Sequence, residues 1–221
     1  MTATLNSTGV QYGDSTQQNT AFLGGRGQVF TGNGTFTIPT GITAVKVTVV
    51  GGGGGGGGGA NLGCGFTSEG VGGASAAVSI KFLSGLTPGN TLSVTVGGGG
   101  TAGSAGGGTG GTGGTSTVAS GTQAITSISA TGGGGGSNTN NISFNAGGTA
   151  SGGDLSFNGA KAYTNNARGG QSNIFGQGGT QNFNAAGSAG LGYGAGGGGG
   201  AATSTLFAGG AGSAGVVVFE W

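Results

Sequence analysis

The chain has 221 residues, 65 of them glycine, with a net charge of +1, no histidine and one cysteine. Ordinary domains carry about 7% glycine and about 25% charged residues, against 4% charged here. Five Lys and Arg cannot build the basic face that phosphate neutralisation requires, so nucleic-acid binding is excluded.

Several other classes fall on the same grounds. A lone Cys64 gives no disulfide framework, and its plain reading is a small apolar filler rather than a reactive thiol. The first twenty residues are polar and lack the basic and apolar regions of a secretory signal. No stretch approaches the roughly 20 apolar residues of a membrane span. The expectation is synthesis in a cytoplasm without an export signal, with cell lysis as one way out. Without histidine there is no Ser-His-Asp or Cys-His arrangement, and zinc would find only Cys64 as a soft ligand. Asp14, Glu69, Asp154 and Glu220 fall in different segments, which argues against a glycosidase-type carboxylate pair. No enzyme, no cofactor and no metal site is expected.

In chain order, Val29 to Ile38 reads as a hairpin, with Asn33-Gly34 at its turn. Val45, Val47 and Val49 alternate with polar or small residues, which predicts a half-buried strand. The same period places strands over Ala76 to Phe82 and Leu92 to Val96. Thr87-Pro88-Gly89-Asn90 carries the type II turn signature. A weaker strand pair falls within Thr115 to Thr131, and the chain closes on a strand over Gly215 to Trp221. Nothing shows a helical apolar period, so α-helix should be essentially absent.

The glycine runs lie between these strands: Gly51 to Gly59, Gly97 to Gly100, Gly106 to Gly114, Gly132 to Gly136 and Gly209 to Gly215. Collagen's strict triplet is missing. Polyglycine II geometry suits the runs: three residues per turn, about 3.1 Å rise and no internal hydrogen bonds. Nine residues would then reach about 28 Å. Ordering a residue costs about 1–2 kcal/mol and a net hydrogen bond returns about 0.5–1.5 kcal/mol. One run alone stays disordered, whereas a bundle tethered by strands breaks even. The fold expectation is an all-β scaffold carrying a bundle of polyglycine II helices, with distal loops near 61–70, 137–193 and 201–208. Residues 28–221 form this domain, and 1–27 a separate N-terminal segment.

The stretch Gly32 to Gly51, containing Phe36-Thr37-Ile38-Pro39-Thr40-Gly41, resembles the opening of glycine-rich domains in phage tail-fibre proteins. The central Leu86 to Gly97 and the closing Gly215 to Trp221 resemble their later motifs. Leu5 to Ala21 is similar to a short repeat of phage tail proteins, with Ser15 in place of the usual glycine. The architecture is similar to the glycine-rich tip adhesins of T-even-like phages. This resemblance implies a virion protein, part of a tail fibre, whose loops bind an outer-membrane protein or surface glycan of a bacterial host. It further implies that Val10, Tyr12, Asp14, Thr16 and Gln17 attach the chain to other tail proteins, as a monomer on a trimeric stem or as a trimer.

Aromatics set among Ser, Asn and Gly suit recognition. Phe66, Phe144, Phe157, Tyr163, Phe175, Phe183, Tyr193 and Phe207 are therefore the expected receptor-binding residues, with Arg168. Lys161, Asp154 and Glu69 could add polar specificity at the rim. Two rival readings remain: a purely structural fibre subunit or assembly protein, and an ice-binding protein displaying a regular face of threonine or other small residues.

Overall fold

The structure is a computed structural model that describes residues 4–6, 9–11, 17–18, 26–63, 66–137, 145–162, 170–171, 173–182, 184–202 and 204–221. No helix occurs among them, and every strand pairing is antiparallel. Two five-stranded sheets face each other. The first runs, in spatial order, Leu155–Phe157, Val78–Ser84, Ala44–Val50, Val216–Glu220 and Gly27–Phe30. The second runs Ala150–Ser151, Ile128–Ala130, Ser116–Ser120, Thr91–Thr95 and Gly34–Thr37.

Alternation builds the core between them. Val45, Val47 and Val49 point inward from the first sheet to meet Leu92, Val94, Val118 and Ile128 from the second. Phe36 lies flat on Phe219, ring centroids 3.9 Å apart, and Phe30 meets Phe219 edge-on at 5.8 Å. The expected turn at Thr87 to Asn90 is present, with Asn90 N–H donating to Thr87 C=O at 3.1 Å and Gly89 at φ +86°.

Two expectations change here. The segment Val29 to Ile38 is no hairpin. Gly27–Phe30 pairs with Val216–Glu220, and Gly34–Thr37 with Thr91–Thr95, so the chain crosses from one sheet to the other. Crossing lets Phe30 and Phe36 both pack on Phe219, and Gly34 leaves room for the Phe30 ring, which a Cβ there would meet at 2.9 Å. Asn33 uses its side chain instead, accepting from Val96 N–H at 2.9 Å. The second change is parity. Ile80 and Phe82, read as the apolar side of a half-buried strand, face away from the core, and Leu83 fills the core instead.

The glycine runs leave one end of this sandwich. Ala44–Val50 continues into run 51–59, in which every residue is buried. Its N–H groups donate by threes. Gly51, Gly54 and Gly57 donate to Ala77, Ala74 and Val71; Gly52, Gly55 and Gly58 to Gly114, Gly111 and Gly108; Gly53, Gly56 and Gly59 to Ser213, Gly210 and Phe207. Its carbonyls accept from Gly100, Gly103 and Gly106, from Gly133 and Gly136, and from Gly197 and Gly200. Run 51–59 therefore has six neighbours. The three it donates to run against it, and the three it accepts from run with it. Adjacent members of this ring also bond to each other, as Gly73 N–H to Gly197 C=O and Gly110 N–H to Gly136 C=O show. A three-residue period with purely lateral bonds is polyglycine II geometry.

Bare glycine is required for this. A Cβ at any position from Gly51 to Gly59 would collide with a backbone carbonyl of a neighbouring run, Gly198 C=O for Gly56 and Thr101 C=O for Gly55. Two serines lock the junction with the sandwich. Ser116 Oγ donates to Val50 C=O at 2.7 Å and accepts from Gly97 N–H at 2.9 Å. Ser213 Oγ accepts from Ala195 N–H at 2.7 Å.

Candidate functional site

The end of the bundle away from the sandwich is built where the runs reverse. Runs 97–104 and 108–114 join through a tight turn in which Gly106 and Gly107 have φ of +87° and +97°, a region open to glycine. Gly106 N–H donates to Gly59 C=O at 3.0 Å, which places this turn level with the last glycine of the central run. From Gly59 the chain enters a small ribbon, Ala60–Gly63 paired with Phe66–Ser68 with a register shift. Thr67 Oγ1 donates to Ala202 C=O at 3.1 Å, tying this ribbon to the loop closed by the Ala202–Leu206 bridge. Ala60 and Ser68 are buried beneath, while Asn61, Thr67 and Glu69 face solvent.

The expected receptor-binding residues do not gather in one place. Phe66 opens a strand of the end ribbon. Phe207 is half-buried at the same end, its carbonyl accepting from Gly59 N–H at 2.9 Å. Phe157 stands instead on the edge strand of the first sheet. Phe175 and Tyr193 sit at the sandwich end too: Tyr193 N–H donates to Phe175 C=O at 3.1 Å, and Tyr193 packs on Val50, Val78 and Val216. Phe144, Tyr163, Arg168 and Phe183 lie outside the described residues, as does Cys64.

The span 137–193 is thus not a single distal loop, which corrects the expectation. Within it, residues 145–149 return to strand Ala150–Ser151, and Leu155–Phe157 joins the first sheet. The ribbon Gly176–Gln177 with Leu191–Gly192 stands by the sandwich. The physical reason is that these glycine pairs donate laterally to further runs, as Gly148 N–H does to Ser75 C=O and Gly179 N–H to Gly196 C=O. The Asn- and Gly-rich composition hides a second layer of runs.

Four of the charges among the described residues are committed to structure. Lys46 Nζ lies 2.8 Å from Glu220. Lys81 Nζ lies 2.6 Å from Asp154 Oδ1, and Asp154 Oδ2 accepts from Phe82 N–H at 2.9 Å. These two bonds, the Lys81 one first, hold the Asp154 carboxyl below its ordinary pKa. Asp154 therefore pins an edge strand and is not a rim residue of the loop end. Lys161 and Glu69 are exposed. Of the attachment residues, Val10 and Gln17 fall on a three-stranded meander, Thr4–Asn6, Gly9–Gln11 and Gln17–Gln18, while Tyr12, Asp14 and Thr16 lie outside the described residues.

One further feature is periodic in the sequence. Thr109, Thr112 and Thr115 recur every three residues and are all exposed, one turn apart along run 108–114. Run 207–214, separated from them by run 97–104, exposes Ala211 and Ala214, and it bonds on one flank to run 97–104, which bears Ala102, and on the other to the run bearing Ala189. The two turn glycines, by contrast, carry no signal among so many others.

Residues 28–221 match the model of a protein family described as a glycine-rich domain. No curated protein matches the chain.

Proposed function

This chain belongs to the glycine-rich domain family, and from that premise we propose that it is the tip protein of a bacteriophage tail fibre, adhering to a host-surface protein or glycan through the loops at the free end of its bundle. The observation that carries the reading is the closed ring around run 51–59, which makes a stiff spacer of bare backbone with reversing loops at its free end. Eight steps from Gly51 to Gly59 set those loops about 25 Å from the sandwich. A stiff support lowers the ordering cost of recognition loops. The N-terminal segment, similar to a phage tail repeat, supplies attachment to other tail proteins. Adhesion of this kind makes and breaks no covalent bond and needs no cofactor.

The test exchanges residues 60–68, 138–144 and 202–206 for those of a chain from a phage of different host range. Particles should assemble and adsorb to the other host's cells. Unchanged adsorption sinks the reading and favours a purely structural fibre subunit, which labelled electron microscopy would place away from the tip.

A second reading, ice binding, is favoured by the exposed row of Thr109, Thr112 and Thr115 at a three-residue spacing. A thermal-hysteresis measurement on the purified chain decides it: no hysteresis removes this reading.

A further inference from the structure

The two sheets of the sandwich turn unlike faces to solvent. The second sheet presents Thr35 paired with Ser93 and, in a neighbouring row, Thr95, Thr117, Ser129 and Ser151, and Ser129 Oγ and Ser151 Oγ share a hydrogen bond at 2.9 Å. Such a face is made for water. The first sheet presents the opposite. One row of its outer face reads Val29, Val218, Thr48, Ile80 and Leu155 across all five strands; Val29 and Leu155 at its ends are exposed, Val218 and Ile80 are half-buried, and Thr48 at its centre is buried. Phe157 and Phe82 stand in the rows on either side.

Every large hydrophobic exposed among the described residues lies on this face or on the ribbon abutting it. The sheet contributes Val29, Phe82, Leu155 and Phe157, and the ribbon and its turn contribute Ile174, Phe175 and Leu191. Their exposures run from 39% at Phe175 to 64% at Leu191. A fully buried aromatic covers about 150–250 Å², so these half-open side chains together offer several hundred Å². That is the scale of the largest patch on a typical monomer, roughly 300–600 Å², and it approaches the about 800 Å² per partner of a standard interface.

We infer that this face is where copies of this chain pack against one another. Two observations fit a second copy. The face is electrically neutral, because its Lys46 and Glu220 are paired with each other at 2.8 Å. A patch meeting itself brings like charge to like charge, and a neutral one meets no such repulsion. Its exposed apolar area also approaches what one side of a standard interface buries. The remaining elements agree: the bundle leaves from the sandwich end and its loops stay free, so pairing through the sheet face leaves the reversing end open. The inference is independent of adhesion and stands or falls without it.

The experiment is sedimentation equilibrium of the full chain over roughly 1–100 µM, where mass action separates monomer from assembly. A species of defined stoichiometry, at a small multiple of 20.1 kDa, is expected. Phe82→Asp and Leu155→Asp should each weaken association by about tenfold or more, the scale of one central interface residue. Thr35→Asp on the opposite face should leave the mass unchanged. A chain sedimenting at 20.1 kDa throughout overturns the inference. So does open-ended aggregation, or an assembly that survives both substitutions. A monomer whose Phe82 and Leu155 amides gain protection from exchange only when residues 1–25 are present also overturns it, and assigns the face to the N-terminal segment.

Discussion

The sandwich and the bundle both bury their interiors, and they are filled by opposite means. In the sandwich the rings of Phe36 and Phe219 stack 3.9 Å apart and side chains fill the space between the sheets, the Phe30 ring taking the room left at Gly34. In the bundle, run 51–59 is buried along its whole length and contributes no side chain at all. Apolar surface is what the sandwich removes from water, at about 25 cal/mol per Å². The bundle removes backbone polar groups from water and must pair each of them, since an unpaired one costs about 1–3 kcal/mol. Tolerance to substitution therefore runs in opposite directions. The core of the sandwich suffers when atoms are deleted, and the core of the bundle suffers when a single atom is added.

The largest effect expected is on the bundle side. Gly56→Ala drives a Cβ into Gly198 C=O, and should lower stability by about 4 kcal/mol or more, at the exceptional end for point changes. Thermal unfolding measures it, and a near-neutral result would break the comparison. On the sandwich side, Phe219→Ala removes the ring that Phe30 and Phe36 share and should cost about 3–5 kcal/mol.

Ser116→Ala probes the seam between the two regions. It strips the acceptor from Gly97 N–H and the donor from Val50 C=O, for about 1–3 kcal/mol. Amide exchange at Gly97 should quicken ahead of exchange in the core strands. Gly98→Ala sharpens the contrast from the other side. A Cβ there meets nothing within 4 Å, so the change should be neutral or stabilising by about 0.4–1 kcal/mol through the unfolded chain. The same substitution at two glycines of one bundle then has opposite signs.

The smallest effect is a pH response at the sandwich edge. Asp154 is held below its ordinary pKa by Lys81 and by Phe82 N–H. A carboxyl with a lowered folded value contributes stability above the ordinary carboxylate range, and that stability is lost as pH falls through the lowered value. Acidification should therefore loosen strand Leu155–Phe157, read as faster exchange at the Phe82 amide, and Asp154→Asn should remove the pH step.

Much of the scaffold was legible in the chain itself. The alternation at Val45, Val47 and Val49 gave the central strand, and Pro88-Gly89 gave the turn between Val78–Ser84 and Thr91–Thr95. The runs were legible as runs because each abuts a strand. What stayed hidden has physical causes. Asn33-Gly34 has the chemistry of a hairpin turn, but burial of Phe30 and Phe36 on one ring outweighs it. Ile80 and Phe82 obey the two-residue period yet face outward, since the period alone does not say which face is the inner one. Phe157, Phe175 and Tyr193 share a composition with the loops but not a location, because short glycine pairs between them bond as further runs.

The three-residue bonding period has a consequence for how such a molecule can change length. One residue inserted into run 51–59 would rotate everything after it by about 120°, so each later N–H would face the wrong neighbour. Only insertions of three restore the pairing, and the ring closes at full height only if all seven runs grow together. The reversing segments carry no such phase and can vary one residue at a time. The reach of this molecule is therefore stepped and collective, while the loops that end it are free to drift singly.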